Sequence, residues 1–183
     1  VGKYNIPPRR AIDGVAHLPA LETPRLKLSP VRDEDADAYA RLASDTERNR
    51  WWGYDWHEDA PGDAPQAGWF LTFARSLFRE KMELPLGIYA DGALAGEVVL
   101  HRFGYHAEAE IGVRLLPEAE GNGYAAEAVS AVCEYAFSKL ELERVEAKHF
   151  HENARSGRTL SLAGMRRTGE DETYVYYEKT PKM

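Results

Sequence analysis

The chain has 183 residues, of which 44% are hydrophobic and 29% are charged, a length that suits one globular domain and leaves no room for a second full one. Its 30 acidic and 23 basic residues give a net charge of −7, which disfavours nucleic acid as a partner. The lone cysteine, Cys133, excludes an intramolecular disulfide and a thiolate metal cage. Since no apolar run suits a membrane span and no signal peptide opens the chain, we expect a cytoplasmic protein that binds neither a membrane nor a metal.

The N-terminal half predicts an arm, a strand and two helices. Residues 1–23 hold three prolines and little periodicity, so we expect an arm there and place the domain at residues 24–183. The alternation that begins at Leu26 is typical of a strand, and Asp33 opens a helix. A long loop over residues 45–68 precedes a helix whose apolar residues have helical spacing: Trp69, Phe70, Phe73, Leu77 and Phe78.

The C-terminal half predicts strands first and then helices and strands in alternation. Asp91-Gly92 accepts the positive φ of a tight hairpin between two strands. From Ala107 to Leu116 apolar and polar residues alternate, the cleanest strand pattern in the chain. The remaining predicted elements are a helix over 125–140, a strand over 145–150, a short helix ending at Gly164 and a strand over 173–179. This order predicts an α/β fold in which a mixed sheet carries helices on both faces.

A glycine-containing loop, residues 118–124, joins this cleanest strand to the long helix that follows it. Gly121 and Gly123 let the backbone approach a ligand closely, and the N–H groups and dipole at a helix N-terminus favour phosphate. Such a site needs no Lys or Arg. The same residues also suit an ordinary strand-to-helix turn in which the glycines only relieve strain, so the loop alone leaves both interpretations open.

The same loop has a second functional interpretation. Residues 121–126 fit the dinucleotide-binding pattern G-x-G-x-x-A, and Glu143 or Glu146 lies near the distance at which a ribose-binding acid is expected. However, Pro117 and several further residues separate the strand from the first glycine, and too little chain follows to complete a doubly wound sheet. An NAD(P)-binding protein is therefore the less favoured alternative.

Three segments, in the same order along the chain, resemble the GNAT superfamily of N-acetyltransferases. The matching segments are AEIGVRL (109–115) with EGNGYAAEA (120–128), NARS (153–156) with LSLAGM (160–165), and LETPRLKL (21–28) with DEDA (33–36). The first pair resembles the acetyl-CoA motif and the second the N-x-x-S helix. The third resembles the opening of the branch that acetylates ribosomal-protein N-termini, alanine included. The resemblance covers about residues 21–180 and implies a central mixed, splayed β-sheet flanked by helices.

The resemblance implies an acyltransferase that uses acetyl-CoA as co-substrate. The acetyl group would pass to a primary amine by direct attack through a tetrahedral intermediate, and the acceptor could be a protein N-terminus, an aminoglycoside, a polyamine or another small amine. A backbone N–H between Val113 and Leu115 would stabilise the oxyanion, and Ser156 would meet the leaving sulfur. The residues implied to contact acetyl-CoA are Val113, Arg114, Leu115, Glu120, Gly121, Asn122, Gly123, Tyr124, Ala125, Asn153 and Ser156.

Several positions depart from the family pattern. Glu118 stands where the family usually has Gln or Arg, and Asn122 where a basic residue is frequent. The acids at 118 and 120 should weaken the field for a pyrophosphate. Leu160 occupies the position at which many members place a tyrosine general acid. This last departure leaves a non-catalytic acyl-CoA-binding or sensing module as an alternative function.

Glu110 is the first candidate for the general base, acting through water. It lies mid-strand between apolar positions and near the expected thioester, although a solvated or salt-bridged strand carboxylate is equally compatible with the pattern. His149 and His151 share a face of the next strand and could relay protons. Ser156 could also be a helix-capping hydroxyl instead of a contact for the sulfur.

An aromatic segment, residues 51–59, lies where the GNAT family builds its acceptor site. Its side chains Trp52, Tyr54 and Trp56, with neighbouring carboxylates, suit a cationic amine. The alternative is a tryptophan-rich plug packed on the core. The sequence leaves the oligomeric state open, with a homodimer among the options.

Overall fold

The computed structural model describes residues 9–182 and shows an α/β fold built on one eight-stranded sheet. The strands are β1 (Leu21–Glu22), β2 (Leu26–Ser29), β3 (Glu83–Ala90), β4 (Ala93–His101), β5 (Glu108–Leu115), β6 (Arg144–Phe150), β7 (Arg166–Glu170) and β8 (Tyr174–Lys179). The helices are α1 (Ala36–Ser44), α2 (Thr46–Asn49), α3 (Ala67–Arg79), α4 (Tyr124–Ser138) and α5 (Ala154–Leu162). No helix within this part of the chain is both long and apolar enough to cross a membrane.

The sheet is mixed and splayed, as the family resemblance predicts. Its strand order is β1-β2-β3-β4-β5-β6-β8-β7, and among the described strands only β5 and β6 run parallel. These two strands pair over three residues, from Glu108 to Glu110 opposite Arg144 to Glu146. Beyond Glu110, β5 keeps its pairing with β4 while β6 keeps its pairing with β8. The two halves of the sheet therefore separate and leave an opening between β5 and β6.

This topology excludes the fold that a dinucleotide-binding protein needs. That alternative requires a doubly wound, mostly parallel sheet. Here β5, α4 and β6 form one parallel crossover, and every other neighbouring pair of strands in residues 9–182 is antiparallel. The G-x-G-x-x-A match is therefore not part of a dinucleotide-binding fold.

Helices cover both faces of the sheet, and each face has its own hydrophobic cluster. The main cluster lies beneath α4 and α5 and includes Ile111, Val145 and Val132. The second lies beneath α1 and α3 and includes Tyr39 and Phe70. Because side chains alternate along a strand, β5 turns Ile111 towards the main cluster and its neighbours Glu110 and Gly112 towards the α1 and α3 side. Glu110 and Gly112 therefore lie on the same face of β5, the one towards α1 and α3.

The described part of the predicted arm packs on the domain. Residues 11–14 form a 3-10 turn, Ile12 is fully buried in the main cluster and Val15 is 7% exposed. Strand β1 pairs with β2 at the sheet edge. Pro7 and Pro8, on which the arm was partly predicted, lie outside the described residues. The domain boundary at residue 24 stays a prediction.

Candidate functional site

The glycine loop before α4 has the backbone geometry of an anion-binding turn. Gly121 has φ +82° and Gly123 has φ +77°, values that side-chain-bearing residues rarely adopt. A Cβ added at Gly121 would meet no atom within 4 Å, so conformation and not crowding requires glycine there. Gly123 directly precedes the 15-residue helix α4. The unpaired N–H groups of the first turn of α4 are therefore presented where a phosphate could bind.

Arg25 and Glu127 fix the shape of this loop. The Arg25 guanidinium donates from Nη1 to the carbonyl oxygen of Asn122 at 2.7 Å and from Nε to Glu127 at 2.8 Å. The Thr23 hydroxyl donates to the other oxygen of Glu127 at 2.5 Å. These contacts join the turn between β1 and β2 to the first turn of α4. The loop is thus held in place without a ligand.

The two carboxylates of the loop are both paired with arginines from outside the motif. Arg41 Nη2 lies 2.6 Å from Glu118 Oε1. Arg48 and Arg155 bind the two oxygens of Glu120, at 2.5 and 2.6 Å. The hydrogen bond from Arg41 lowers the pKa of Glu118 below its ordinary value. Each negative charge that was expected to weaken a phosphate site therefore has a guanidinium beside it.

The opening between β5 and β6 leaves backbone groups of β5 without a strand partner on that side. In a strand, alternate N–H groups point to opposite neighbours, and pairing with β6 ends at Glu110. Alternate N–H groups over residues 111–115 therefore face the opening, and this stretch contains Val113, Arg114 and Leu115. An oxyanion donor within this stretch stays a prediction.

Two tryptophans of the aromatic segment lie on the two sides of this opening. A Cβ at Gly112 of β5 would lie 3.2 Å from the Trp52 ring, so glycine leaves room for the indole. The Trp51 ring packs on Phe150 of β6, with 5.7 Å between ring centroids. Both contacts are on the sheet face that carries Glu110. The segment thus borders the opening on both sides, at the place where the sequence predicts an acceptor site.

Glu110 lies at the point where β5 and β6 separate, among three cationic or ionisable groups. Its side chain is 16% exposed, and one carboxylate oxygen is 3.9 Å from both His101 Nε2 and Lys148 Nζ. The other oxygen is 3.8 Å from Arg102 Nε. Burial lowers the pKa of His101, an effect that Arg102 and Lys148 reinforce although Glu110 opposes it. Residue spacing alone gives no signal for His101, because its position opposite Glu110 depends on strand register.

Glu83 extends this row across the sheet, since it pairs with His101 as His101 pairs with Glu110. Burial, together with the charge of Glu97, raises the pKa of Glu83 to about 7, although Arg114 opposes the shift. The folded state then binds a proton between the ordinary pKa of 4.5 and about 7 that the unfolded state does not, so stability falls as pH rises through this range.

Replacing Glu83 with Gln should therefore raise the melting temperature at pH 8, and this gain should shrink as the pH falls from about 7 towards 5. Parallel thermal denaturation of wild type and variant from pH 5 to pH 8 measures the difference. Other titrating groups are common to both proteins and cancel. A melting-temperature difference that does not change with pH would contradict the raised pKa.

A buried ion pair supports the Trp52 side of the opening. Glu97 is 2% exposed and accepts hydrogen bonds from the Tyr39 hydroxyl at 2.7 Å and from Arg114 Nη2 at 2.8 Å. Arg114 also donates to Asn49 Oδ1 at 3.1 Å, and its guanidinium lies 4.4 Å from the centre of the Trp52 ring. The side chain of Arg114 is thus fully engaged, which leaves its backbone as the part that could contact acetyl-CoA.

The structure places the predicted histidines away from Glu110. His149 is 7% exposed, points to the opposite face and bonds through Nδ1 to the carbonyl of Phe150 at 2.7 Å. His151 is bonded through Nε2 to the carbonyl of Asp171 at 2.7 Å. His149 therefore does not relay protons to Glu110, because its imidazole lies on the opposite face, and the contacts of His151 in the described part of the chain are with Asp171 and Glu170 and not with Glu110.

The α5 residues stand beyond the end of β6, on the far side of the opening. Asn153 is the N-cap residue of α5, so the half-buried Ser156 within the helix is not the capping hydroxyl. Leu160 is 4% exposed in the main cluster. The position that many GNAT members give to a tyrosine acid is thus part of the core.

The three aromatic residues predicted to bind the acceptor separate into two kinds. Trp56 is 9% exposed and packs edge-on against Phe70 in the second cluster, as the plug interpretation expects. Trp52 is partly exposed, and Tyr54 is 39% exposed and stacks on Phe73. Since a buried ring offers no surface to an amine, only Trp52 and Tyr54 are carried into the acceptor hypothesis.

The part of the chain that matches known proteins contains the glycine loop, both strands of the opening and helices from both faces of the sheet. Residues 25–166 match the family model described as Acetyltransferase (GNAT) domain. The chain is 35% identical over 166 residues to the uncharacterized N-acetyltransferase YoaA of Bacillus subtilis (strain 168), a match that covers 89% of this chain and 92% of that protein.

Solved structures share the same architecture. RimJ of Mycobacterium smegmatis in complex with CoA-disulfide is 26% identical, with a TM-score of 0.69, and the match covers 86% of this chain and 82% of that chain. Spermidine N-acetyltransferase of Vibrio cholerae in complex with CoA and spermine has a TM-score of 0.71 at 16% identity, covering 87% and 98% of the two chains. At that identity the second likeness concerns the fold alone.

Proposed function

The chain belongs to the GNAT acetyltransferase family and is an acyltransferase, and from this premise we propose that it transfers the acetyl group of acetyl-CoA to a primary amine. One observation supports the proposal most strongly: the positive-φ glycine loop at the start of α4 lies next to the opening between β5 and β6. Because acetyl-CoA is an intracellular metabolite, we place the reaction in the cytoplasm.

The donor would bind along these two features. The pyrophosphate would accept hydrogen bonds from the N–H groups of residues 121–125, where the helix dipole adds positive potential. The pantetheine arm would then enter the opening and pair with the unpartnered backbone of residues 113–115. Glu120, Asn153 and Ser156 would border the donor from the loop and from α5. This path brings the thioester towards Glu110, at the closed end of the opening.

The chemical step would be direct attack of a neutral amine on the thioester carbonyl. The N–C bond forms as the oxyanion accepts a hydrogen bond from an N–H between Val113 and Leu115, and the C–S bond then breaks. Glu110 would take the amine's proton through water, with the neutral imidazole of His101 beside it. Ser156 would donate a hydrogen bond to the departing sulfur. The need for a base is smaller for an α-amine, with a pKa of about 7.7–8.0, than for a lysine amine at about 10.4.

Trp52 is proposed to hold the acceptor. Its ring lies on Gly112 beside the carboxylate of Glu110, an arrangement that suits a cationic amine. Replacing Trp52 with Ala should raise the KM for the amine about tenfold, corresponding to about 1.4 kcal/mol, without changing the KM for acetyl-CoA.

Replacing Trp52 with Phe keeps an aromatic face and is expected to restore most of the affinity. Steady-state kinetics with each substrate varied in turn gives both constants, and circular dichroism checks that the fold persists. An unchanged amine KM in a folded Trp52→Ala protein would refute the acceptor assignment.

Amine-dependent release of free thiol from acetyl-CoA tests the proposed reaction. A panel of a peptide with a free N-terminus, a polyamine and an aminoglycoside covers the proposed acceptor classes, and mass spectrometry identifies the acetylated amine. We expect release above the hydrolytic background with at least one class. CoA binding without release on any amine would instead favour the non-catalytic sensing module.

A further inference from the structure

Glu120 bridges two arginines that come from distant parts of the chain. Arg48 belongs to α2, before the aromatic segment, and its Nη1 donates to Oε1 of Glu120 at 2.5 Å. Arg155 belongs to the first turn of α5, and its Nη1 donates to Oε2 at 2.6 Å. Each carboxylate oxygen therefore has its own guanidinium, and the bridge joins three separate segments.

The bridge is placed at the mouth of the proposed donor site. Glu120 directly precedes Gly121 and lies beyond the end of β5, while Arg155 lies beyond the end of β6. The Glu120–Arg155 contact therefore links the loop that follows β5 to the helix that follows β6. Both guanidinium groups are thus held by a residue that directly precedes the glycine loop at the start of α4.

Among the described residues, the side chains of Arg48 and Arg155 bind only carboxylates, whereas the side chain of Arg25 also binds a backbone carbonyl. Arg25 bonds to a backbone carbonyl and to Glu127, whose side chain is 19% exposed and receives two further hydrogen bonds. Arg155 is 66% exposed and pairs with Glu120, while Arg48 is 41% exposed and pairs with Glu120 and, at 3.4 Å, with Asp45. Ion pairs this exposed contribute little to stability, so exchanging one anion for another costs little. Guanidinium groups also match the oxygens of a phosphate in geometry.

We propose that Arg48 and Arg155 are phosphate-binding residues for the CoA moiety, and that Glu120 occupies their guanidinium groups until the phosphates displace it. This inference rests on the proposed function, since it takes the phosphates to be those of a CoA thioester. It explains how a loop with acids at 118 and 120 binds a polyanion: the cations come from α2 and α5 instead of from the motif. Glu120 is then a competitor of the donor and not one of its ligands, because its carboxylate and the phosphates bind the same guanidinium groups.

Binding of CoA and of pantetheine, which lacks the phosphates, to wild type and to single variants tests this inference. By calorimetry, Arg48→Gln and Arg155→Gln should each weaken CoA binding about tenfold and leave pantetheine binding unchanged. Arg48→Lys and Arg155→Lys should weaken CoA binding less than the glutamine variants do. Glu120→Gln should tighten CoA binding about threefold or more, because it removes the competing anion. Arg166→Gln is the matched control, since Arg166 is 65% exposed and is paired with Glu178.

The outcomes separate the inference from the proposed function. If the wild type binds no CoA, the proposed function fails and the inference fails with it. If CoA binds and every variant binds it equally, only the inference is overturned. If Glu120→Gln weakens CoA binding as the arginine variants do, the bridge supports the loop and does not compete with phosphate, which also overturns the inference. Melting temperatures of all variants exclude loss of fold as the cause.

Discussion

Replacing Glu110 with Gln is expected to lower kcat about a hundredfold at neutral pH while leaving CoA binding unchanged. A positioned general base contributes at least about this factor, and the amide cannot accept the amine's proton. The loss should shrink as the pH rises, because a growing fraction of the amine is then already neutral. The pH dependence of kcat, measured with an α-amine acceptor in both proteins, shows both effects.

Glu146 provides a matched control for this substitution. It pairs with Glu110 across the parallel strands, and its side chain is 47% exposed with an ion pair to Arg144 at 2.8 Å. Glu146→Gln removes the same charge one strand away and should leave kcat within about twofold, since exposed charges contribute little. Equal turnover in wild type and Glu110→Gln across the pH range would remove Glu110 from the mechanism.

Replacing Glu97 with Ala is expected to cause the largest loss of stability, about 3–5 kcal/mol in the free energy of unfolding. The substitution leaves the guanidinium of Arg114, whose side chain is 15% exposed, without its carboxylate and removes the acceptor of the Tyr39 hydroxyl. Urea denaturation measures the change. Because Arg114 also stacks on Trp52, we expect the amine KM to rise as well.

Two further variants define the origin of this loss. Glu34→Ala breaks an ion pair with Arg32 in which Glu34 is 70% exposed, and should change stability by less than about 1 kcal/mol. Combining Glu97→Leu with Arg114→Met removes both buried charges and should recover part of the stability, since apolar pairs often replace buried ion pairs without loss. A Glu97→Ala protein as stable as the Glu34→Ala control would show that the buried pair is not a main support of this face.

Those parts of the fold that bury one face of a strand or helix could be predicted from the sequence. The strict alternation of β5 predicts both of its ends to within one residue, and α1 ends at Ser44, directly before the loop predicted from residue 45. Strand β7 cannot be predicted in this way, because Arg166–Glu170 is exposed throughout and no apolar alternation marks it. Its pairing with β8 comes from backbone contacts that side-chain patterns do not encode. The two-residue strand β1 is too short for any pattern to be detected.

The candidate site likewise contains residues that the sequence predicts and residues that only the tertiary structure brings together. The glycines of the loop and Glu110 could be found because they lie within one local motif. The arginine partners of Glu120 lie 72 and 35 residues away, and His101 meets Glu110 only through the register of β4 and β5. Such contacts depend on tertiary structure, which residue spacing alone does not specify. The sequence signals these arginines only indirectly, through the departure of the loop from the family pattern. Two acids in a loop expected to bind phosphate need cations from elsewhere in the chain.

Thermal denaturation in the presence of acetyl-CoA, CoA, NAD or NADP tests the donor assignment most directly, because a ligand of the folded state raises the melting temperature by mass action. At a concentration about 100 times the dissociation constant the stabilisation is about 2.7 kcal/mol, which is readily measured. The proposed donor site predicts a rise with acetyl-CoA and with CoA and none with NAD or NADP. A rise with NAD or NADP alone, or no rise with either CoA compound, would contradict it.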